Sequence, residues 1–197
     1  MKFTRIPESA FKELVLNAGY LATTFDPAAG TAPEESALLG ATTGGINFTA
    51  VPSFTDFGDD IDNCPKNMKE LKQIESWEVK CSGTYVSAST ENAKSMLGAA
   101  DVTTTSKVSK ITPRNDLKDS DFTDLWLLCD YSDKHGTTNG GFCAIHMLNT
   151  LSTGGFSLQT GDKAKGQMSF EYTAHYSITA QDTVPCEVYI KAGEDEA

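Results

Sequence analysis

The sequence lacks most of the features that announce chemistry. It is short of positive charge: 16 basic residues stand against 27 acidic ones, a formal net charge of −11 with a pI near 4.6. That balance argues against tight nucleic-acid binding, which needs Lys and Arg on the phosphates. It leaves open nucleic acid as something the surface must not hold. No apolar run approaches the roughly 18 residues that suggest a membrane-spanning helix. Lys2 and Arg5 are followed by Pro7, Glu8, Lys12 and Glu13 rather than by an apolar stretch, so no secretory signal is expected. Cys-x-x-Cys is absent. The five cysteines, Cys64, Cys81, Cys129, Cys143 and Cys186, are odd in number and widely spaced. A zinc ribbon or thioredoxin-like motif is therefore unsupported, and the cysteines read as reduced, mostly buried small hydrophobes.

What is present points to a β-rich domain. At 197 residues and 39% hydrophobic, the chain can bury a sizeable core and is expected to form one domain, with extended arms possible. Residues 1–37 look unlike the rest and read as an N-terminal arm. Ser9 is placed to cap a short helix carrying Phe11, Leu14 and Val15, and Gly19 to stop it. The stretch from Asp26 to Glu35 is small, acidic and rich in turn formers. From Leu38 a β-domain over 38–197 is expected. Ile46, Phe48 and Ala50 alternate with polar residues, as a half-buried strand does.

Residues 52–73, with Pro52, Gly58 and Pro65, read as a long inter-strand loop. Trp77, Val79 and Cys81 return to period two. Over 89–97 the period becomes helical, with Ser89 as N-cap, Ala93, Met96 and Leu97 as the apolar stripe and Gly98 as terminator. Leu125 to Tyr131 reads as a buried strand. Phe142 to Met147 reads as a strand covered on both faces. Residues 135–141 and Gly154-Gly155 read as turns. Met168, Phe170, Tyr172, Ala174, Tyr176 and Ile178 alternate strictly with polar residues, which predicts one long strand. Val188 to Ile190 predicts a last strand, and the acidic tail from Gly193 a frayed end. The expected fold is all-β, a sandwich or barrel with one flanking α-helix.

Candidate chemistry is thin. Asp56-Phe57-Gly58 matches a kinase magnesium motif by letters, but the accompanying glycine-rich loop, lysine strand and catalytic loop are missing. Asp56, Asp59, Asp60 and Asp62 offer oxygen ligands at short spacing, yet lack the glycine and terminal glutamate of an EF-hand; a solvated acidic loop, or one that docks on a partner's basic patch, fits better. Gly44-Gly45 and residues 137–141 lack the Gly-Lys-Ser/Thr ending of a phosphate loop and read as turns. His135, His146 and His175 share no metal-ligand spacing. His175 sits on the polar side of the long alternation, suiting a surface or interface. No nucleophile elbow supports a Ser-His-Asp set. Asn47-Phe48-Thr49 is a glycosylation sequon only by its letters. No catalytic, cofactor or metal residue is expected, and the chain is not expected to be an enzyme. Exposed strand edges invite association, so assembly is the natural role.

The order of several segments resembles a known family. Leu38-Leu39-Gly40-Ala41-Thr42-Thr43-Gly44-Gly45-Ile46-Asn47-Phe48 is similar to the opening strand of the major tail proteins, the tail tube subunits, of long-tailed phages infecting Gram-positive bacteria. So are the stretch Asp56 to Asp62, the strand Trp77-Glu78-Val79-Lys80 with Gly83-Thr84, and the helix end Leu97-Gly98-Ala99-Ala100-Asp101. Ile111-Thr112-Pro113-Arg114, Asp124-Leu125-Trp126, Gly154 to Leu158, Asp162 to Gly166, and Ala174-His175-Tyr176 through Val184-Pro185 follow in the same order. The resemblance spans most of the chain and rests on the order of its segments. The cysteines lie outside it.

The resemblance implies a structural virion protein of the tail, assembled in the host cytoplasm and belonging to a phage, a prophage or a tail-like bacteriocin. Its subunits form hexameric rings stacked into a hollow tube around a tape-measure protein, between tail initiator or baseplate proteins and a tail terminator. The tube is the conduit for DNA, which passes without specific binding; no cofactor and no membrane are involved. On this reading Ile46, Phe48, Met168, Phe170, Tyr172 and Tyr176 belong to ring-forming strands. Asp56, Asp59, Asp60 and Asp62, with the 52–73 loop and the arm, are candidates for contacts between rings. The alternative reading is a carbohydrate-binding or tail-tip β-sandwich module. It needs surface aromatics, whereas Trp77 and Trp126 sit in apolar patterns and are expected in the core.

Overall fold

The structure is a computed structural model that describes residues 5–131 and 140–193. Among these, nine strands and one α-helix are present: β1 (Val15–Ala22), β2 (Thr42–Asp56), β3 (Lys72–Tyr85), α1 (Thr90–Leu97), β4 (Ala100–Thr105), β5 (Val108–Pro113), β6 (Thr123–Tyr131), β7 (Gly141–Ser152), β8 (Met168–Thr173) and β9 (Cys186–Lys191). All pairings are antiparallel, and the all-β class with one flanking helix is what the sequence led us to expect.

Seven strands share one sheet path, ordered β1-β6-β7-β8-β3-β2, with β9 added on β7. β7 is the hinge of this path. From Gly141 to Met147 it pairs with β6 and β9, while Leu151 and Ser152 pair with β8. Between the two stretches Asn149 takes a positive φ of 48°, a conformation that Asn tolerates better than most residues. The two halves fold over one core, where Leu21, Leu127 and Met147 meet Val79, Cys81, Phe170 and Tyr172. A short segment stitches β1 to the far end of β3. The Leu39 amide donates to Leu21 O (3.0 Å), and the Val86 amide donates to Ala41 O (2.9 Å).

The helix forms where local chemistry dictates. The Ser89 hydroxyl accepts from the Asn92 amide (3.1 Å), and the Asn92 side chain accepts from the Ser89 amide (2.7 Å). This reciprocal cap satisfies two donors that the first turn would leave orphaned. Gly98 ends the helix at φ 67°, which a side chain would oppose. Met96, with no exposed surface, anchors the helix to the core.

Five expectations are corrected. The arm does not extend to residue 37: β1 belongs to the main sheet, and Leu21 and Ala22 have no exposed surface. Residues 8–12 form a 3-10 turn, and Gly19 lies inside β1, at a bulge opposite β6, rather than at a helix end. A Cβ at Gly19 would stand 2.6 Å from Cys129 Sγ, so this glycine answers close packing. The 52–73 segment is not loop throughout. β2 runs to Asp56 and β3 starts at Lys72, leaving only 57–71 as the connection. Pro52 is accommodated because β2 has a partner on one side only. The long alternation from Met168 supports a strand only as far as Thr173. Beyond it the Ala174 amide donates to Val79 O (3.0 Å) and the His175 amide to Leu148 O (3.3 Å), so the chain crosses between strands and leaves the ladder. Gly44 and Gly45 are not a turn between elements. They are two extra residues of β2, at φ 76° and 83°, set against the step from Thr84 to Gly83 in β3. The turn at Gly154-Gly155 is present, with Gly155 at φ 69°. His135 and most of the 135–141 turn, like the tail from residue 194, lie outside the described residues.

Candidate assembly surface

β2 and β3 are the two longest strands, and only half of each is supported. From Thr42 to Thr49, β2 lies on the part of β3 that pairs with β8 between Lys80 and Tyr85. Beyond Lys80 toward the tip, β3 has no second strand beside it among the described residues. The chain after β8 links to it there twice, through the Ala174 amide donating to Val79 O (3.0 Å) and the Trp77 amide donating to the Tyr176 hydroxyl (2.9 Å). The remainder is a two-stranded ribbon carrying the 57–71 connection. A lone ribbon of this kind is only marginally stable in water.

The ribbon shows apolar side chains to solvent. Phe54 and Ile74 are direct cross-strand partners, 52% and 53% exposed, and Val51, Phe57 and Ile61 are exposed as well. The Lys72 ammonium lies 4.8 Å from the Phe54 ring centroid and covers part of it. One extra residue of β3, Glu75, bulges between Ile74 and Ser76 opposite Phe54 and Ser53.

The tip is organised by Asp56. One carboxylate oxygen accepts from the Gly58 amide (2.9 Å) and the other from the Asn67 amide (2.9 Å), so a single side chain ties both ends of the connection. These two bonds, the Gly58 bond first, hold the Asp56 carboxyl below the usual range, and Lys72 and Lys66 add to the effect. Cys64 lies against Met68 (Sγ–Sδ 3.4 Å), and the Phe57 amide donates to Leu71 O (3.0 Å). Asp59, Asp60 and Asp62 stand exposed at the tip. Among the described residues no three His, Cys, Asp or Glu side chains converge as a metal site.

The residues expected in ring-forming strands divide. Ile46 and Phe48 are half-buried on β2, an edge strand. Met168, Phe170 and Tyr172 are buried in the domain's own core, on a strand flanked by β3 and β7. Tyr176, 38% exposed, lies past the strand's end. A second open edge, which the sequence reading did not single out, is β9: among the described residues it pairs with β7 alone, and it exposes Val188 (56%) and Ile190 (61%). The β4–β5 hairpin was also missed, although Val102, Thr103, Thr104, Val108 and Ile111 carry β-branched signals. It stands apart from the main sheet. Arg114 anchors its base, donating to Asp121 Oδ1 (2.6 Å) and Asp116 O (2.7 Å), with Asp101 Oδ1 3.0 Å from its Nε.

Other polar groups are occupied within the chain. The His146 ring stacks on Trp126 (3.9 Å between centroids, 6° apart), with Asp124 at 3.3 Å and Glu187 at 3.4 Å. The Tyr189 hydroxyl, followed by His146, holds the Glu187 carboxyl below its usual range. His175 meets the Phe122 ring edge-on and lies 3.1 Å from Asn149 O. A recess of about 240 Å³ beside α1 is rich in hydroxyls, and several of these pair internally: Ser95 with Tyr172, Ser152 with Met96 O and Thr150 with Thr123 O. Trp126 is buried and Trp77 packs half-buried against the core, as expected.

Comparison of the chain with protein-family profiles, with curated proteins and with solved structures gives no match. The surface geometry therefore carries the functional argument.

Proposed function

We propose that the chain is a structural subunit of a phage tail tube that assembles with copies of itself into stacked hexameric rings and catalyses no reaction. The observation that carries this reading is the β2–β3 ribbon. It extends beyond its own sheet and shows Val51, Phe54 and Ile74 to solvent. Exposed apolar residues on an unsupported ribbon ask for a partner. The open edges of β2 and β9 add two more unpaired rows of backbone donors and acceptors. A head-to-tail contact between unlike edges closes into a ring when the rotation per subunit divides the circle.

In that ring, β2 and β9 are the joining strands and the ribbon reaches the next ring, with Asp59, Asp60 and Asp62 at its tip. The −11 formal charge of each chain has two uses. Acids facing the lumen repel DNA from the wall and let it slide, and acids elsewhere keep free subunits apart before assembly. The tape-measure, initiator or baseplate, and terminator proteins are the remaining partners, and the assembled virion tail is the location.

Negative-stain electron microscopy over a concentration series tests the reading. Rings or hollow tubes are the expected result. Replacing residues 57–71 with a two-residue turn is expected to leave the domain folded and to abolish stacking. A wild-type chain that stays monomeric with the tail initiator present overturns the proposal in favour of the binding-module alternative. Deleting residues 1–37 is not a usable test, because it removes β1 and exposes the core.

A further inference from the structure

Cys129 on β6 and Cys143 on β7 are direct register partners. Directly opposed residues of an antiparallel pair point to the same face, with Cα atoms about 4.5–5.5 Å apart. That separation falls within the roughly 4.4–6.8 Å that a disulfide spans. Both thiols are free in this structure. Cys129 packs against the main core beside Leu127, and Cys143 is 9% exposed. Gly19, with no side chain, leaves room for the Cys129 sulfur.

We propose that Cys129 and Cys143 are a convertible cross-strand thiol pair, closed to a disulfide by a small disulfide oxidant of the oxidised-glutathione class. Cys129 is partly exposed, which leaves it open to a small oxidant. One cysteine, as thiolate, attacks the oxidant's S–S bond and releases one small thiol. The second cysteine then attacks the mixed disulfide, forms the Sγ–Sγ bond and releases the other small thiol. The two cysteines lose two protons and two electrons in all, and the oxidant becomes two thiols. Burial, then Cys143 and Asp130, push the Cys129 thiol up to about 11, and burial raises Cys143. Thiolate is therefore scarce at neutral pH, and the pair stays open until oxidant is abundant.

The competing partner is Cys81, also in the core cluster but on β3, across the core from β6. Stacked sheets lie about 10 Å apart. A Cys81–Cys129 bond would therefore need backbone movement. The closed pair fastens β6 to β7, the strand shared by both halves of the sheet. The proposal is independent of the tail-tube reading, because it concerns the single folded chain.

The test treats the full-length folded protein with excess oxidised glutathione at pH 8. Remaining thiols are then alkylated in denaturant, and the peptides are mapped by mass spectrometry. The expected result is that the peptides holding Cys129 and Cys143 are joined within one chain and released by dithiothreitol, while the partly exposed Cys64 and Cys186 carry at most glutathione. Cys81→Ser is expected to leave that joined pair intact. Cys143→Ser is expected to leave Cys129 carrying glutathione alone. Five alkylated thiols after oxidation, a joined pair containing Cys81, or separate glutathione adducts on Cys129 and Cys143 in the wild-type chain would each overturn the proposal. The wild-type map decides the matter even if a variant fails to fold.

Discussion

The two halves of the β2–β3 pair are continuous in sequence and unlike in surroundings. In the half beside β8, Cys81 and Tyr85 have no exposed surface. In the half beyond Trp77, the cross-strand partners Phe54 and Ile74 are each more than half exposed. The backbone hydrogen-bond ladder runs through both halves, so pairing is not what separates them. What differs is whether a second layer covers one face. The comparison teaches that β pairing sets the shape of this ribbon, while burial decides where the stability resides.

The strongest way to break the comparison is in the packed half of the molecule. Leu21→Ala is expected to cost about 2–5 kcal/mol, because the side chain is fully buried and the site cannot collapse around the gap. Urea denaturation measures this as a lower midpoint at unchanged slope. Asn92→Ala is expected to cost about 1–3 kcal/mol. It removes the acceptor for the Ser89 amide and the donor to Ser87 O (2.6 Å), and the same titration reads it.

Phe54→Ser in the ribbon is expected to change monomer stability by no more than about 0.5 kcal/mol; under the proposed assembly it also raises the concentration needed for tubes by tenfold or more in sedimentation. A loss of 2 kcal/mol in the monomer would mean that the ribbon packs on its own domain, and the contrast would fail. The smallest effect is local. The folded carboxyl of Asp56 titrates below its unfolded value, so its contribution is full above the unfolded value of about 4. That contribution is lost as pH falls through the lower folded value. Hydrogen exchange at the Gly58 and Asn67 amides is expected to speed up there without global unfolding. Asp56→Asn is expected to remove that pH dependence.

Legibility followed the range of the interactions. The helix could be read because its cap, stripe and terminating glycine lie within ten residues, and each acts locally. β6 and β7 could be read because burial on both faces leaves an apolar run. The outer ribbon was hidden for the opposite reason: with neither face covered, period-two alternation has no cause, and Pro52 looks like a breaker although an edge strand tolerates it. β1 was mistaken for a helix and arm because Gly19 serves packing against Cys129, a contact made more than a hundred residues away in the chain. The alternation from Met168 to Ile178 overran the strand because Ala174 continues to face the core after the ladder has ended. At the candidate surface, the acidic tip was visible in the sequence. The exposed Phe54–Ile74 pair and the β9 edge were not, since exposure depends on which neighbours are missing.

The pairing of β1 with β6 sets a schedule on the ribosome. Ala22 has Trp126 as its partner, so the first strand to be made waits for the sixth, about a hundred residues later. At about 5–20 residues per second, that wait is on the order of 5–20 s. During it, the link from Leu39 to Leu21 has no finished sheet to close. The two strands of the ribbon are neighbours in the chain and are both made early; the sheet that holds them is completed late. Translation itself thus orders the steps, and a nascent chain completes its main sheet only when nearly all of it has been made.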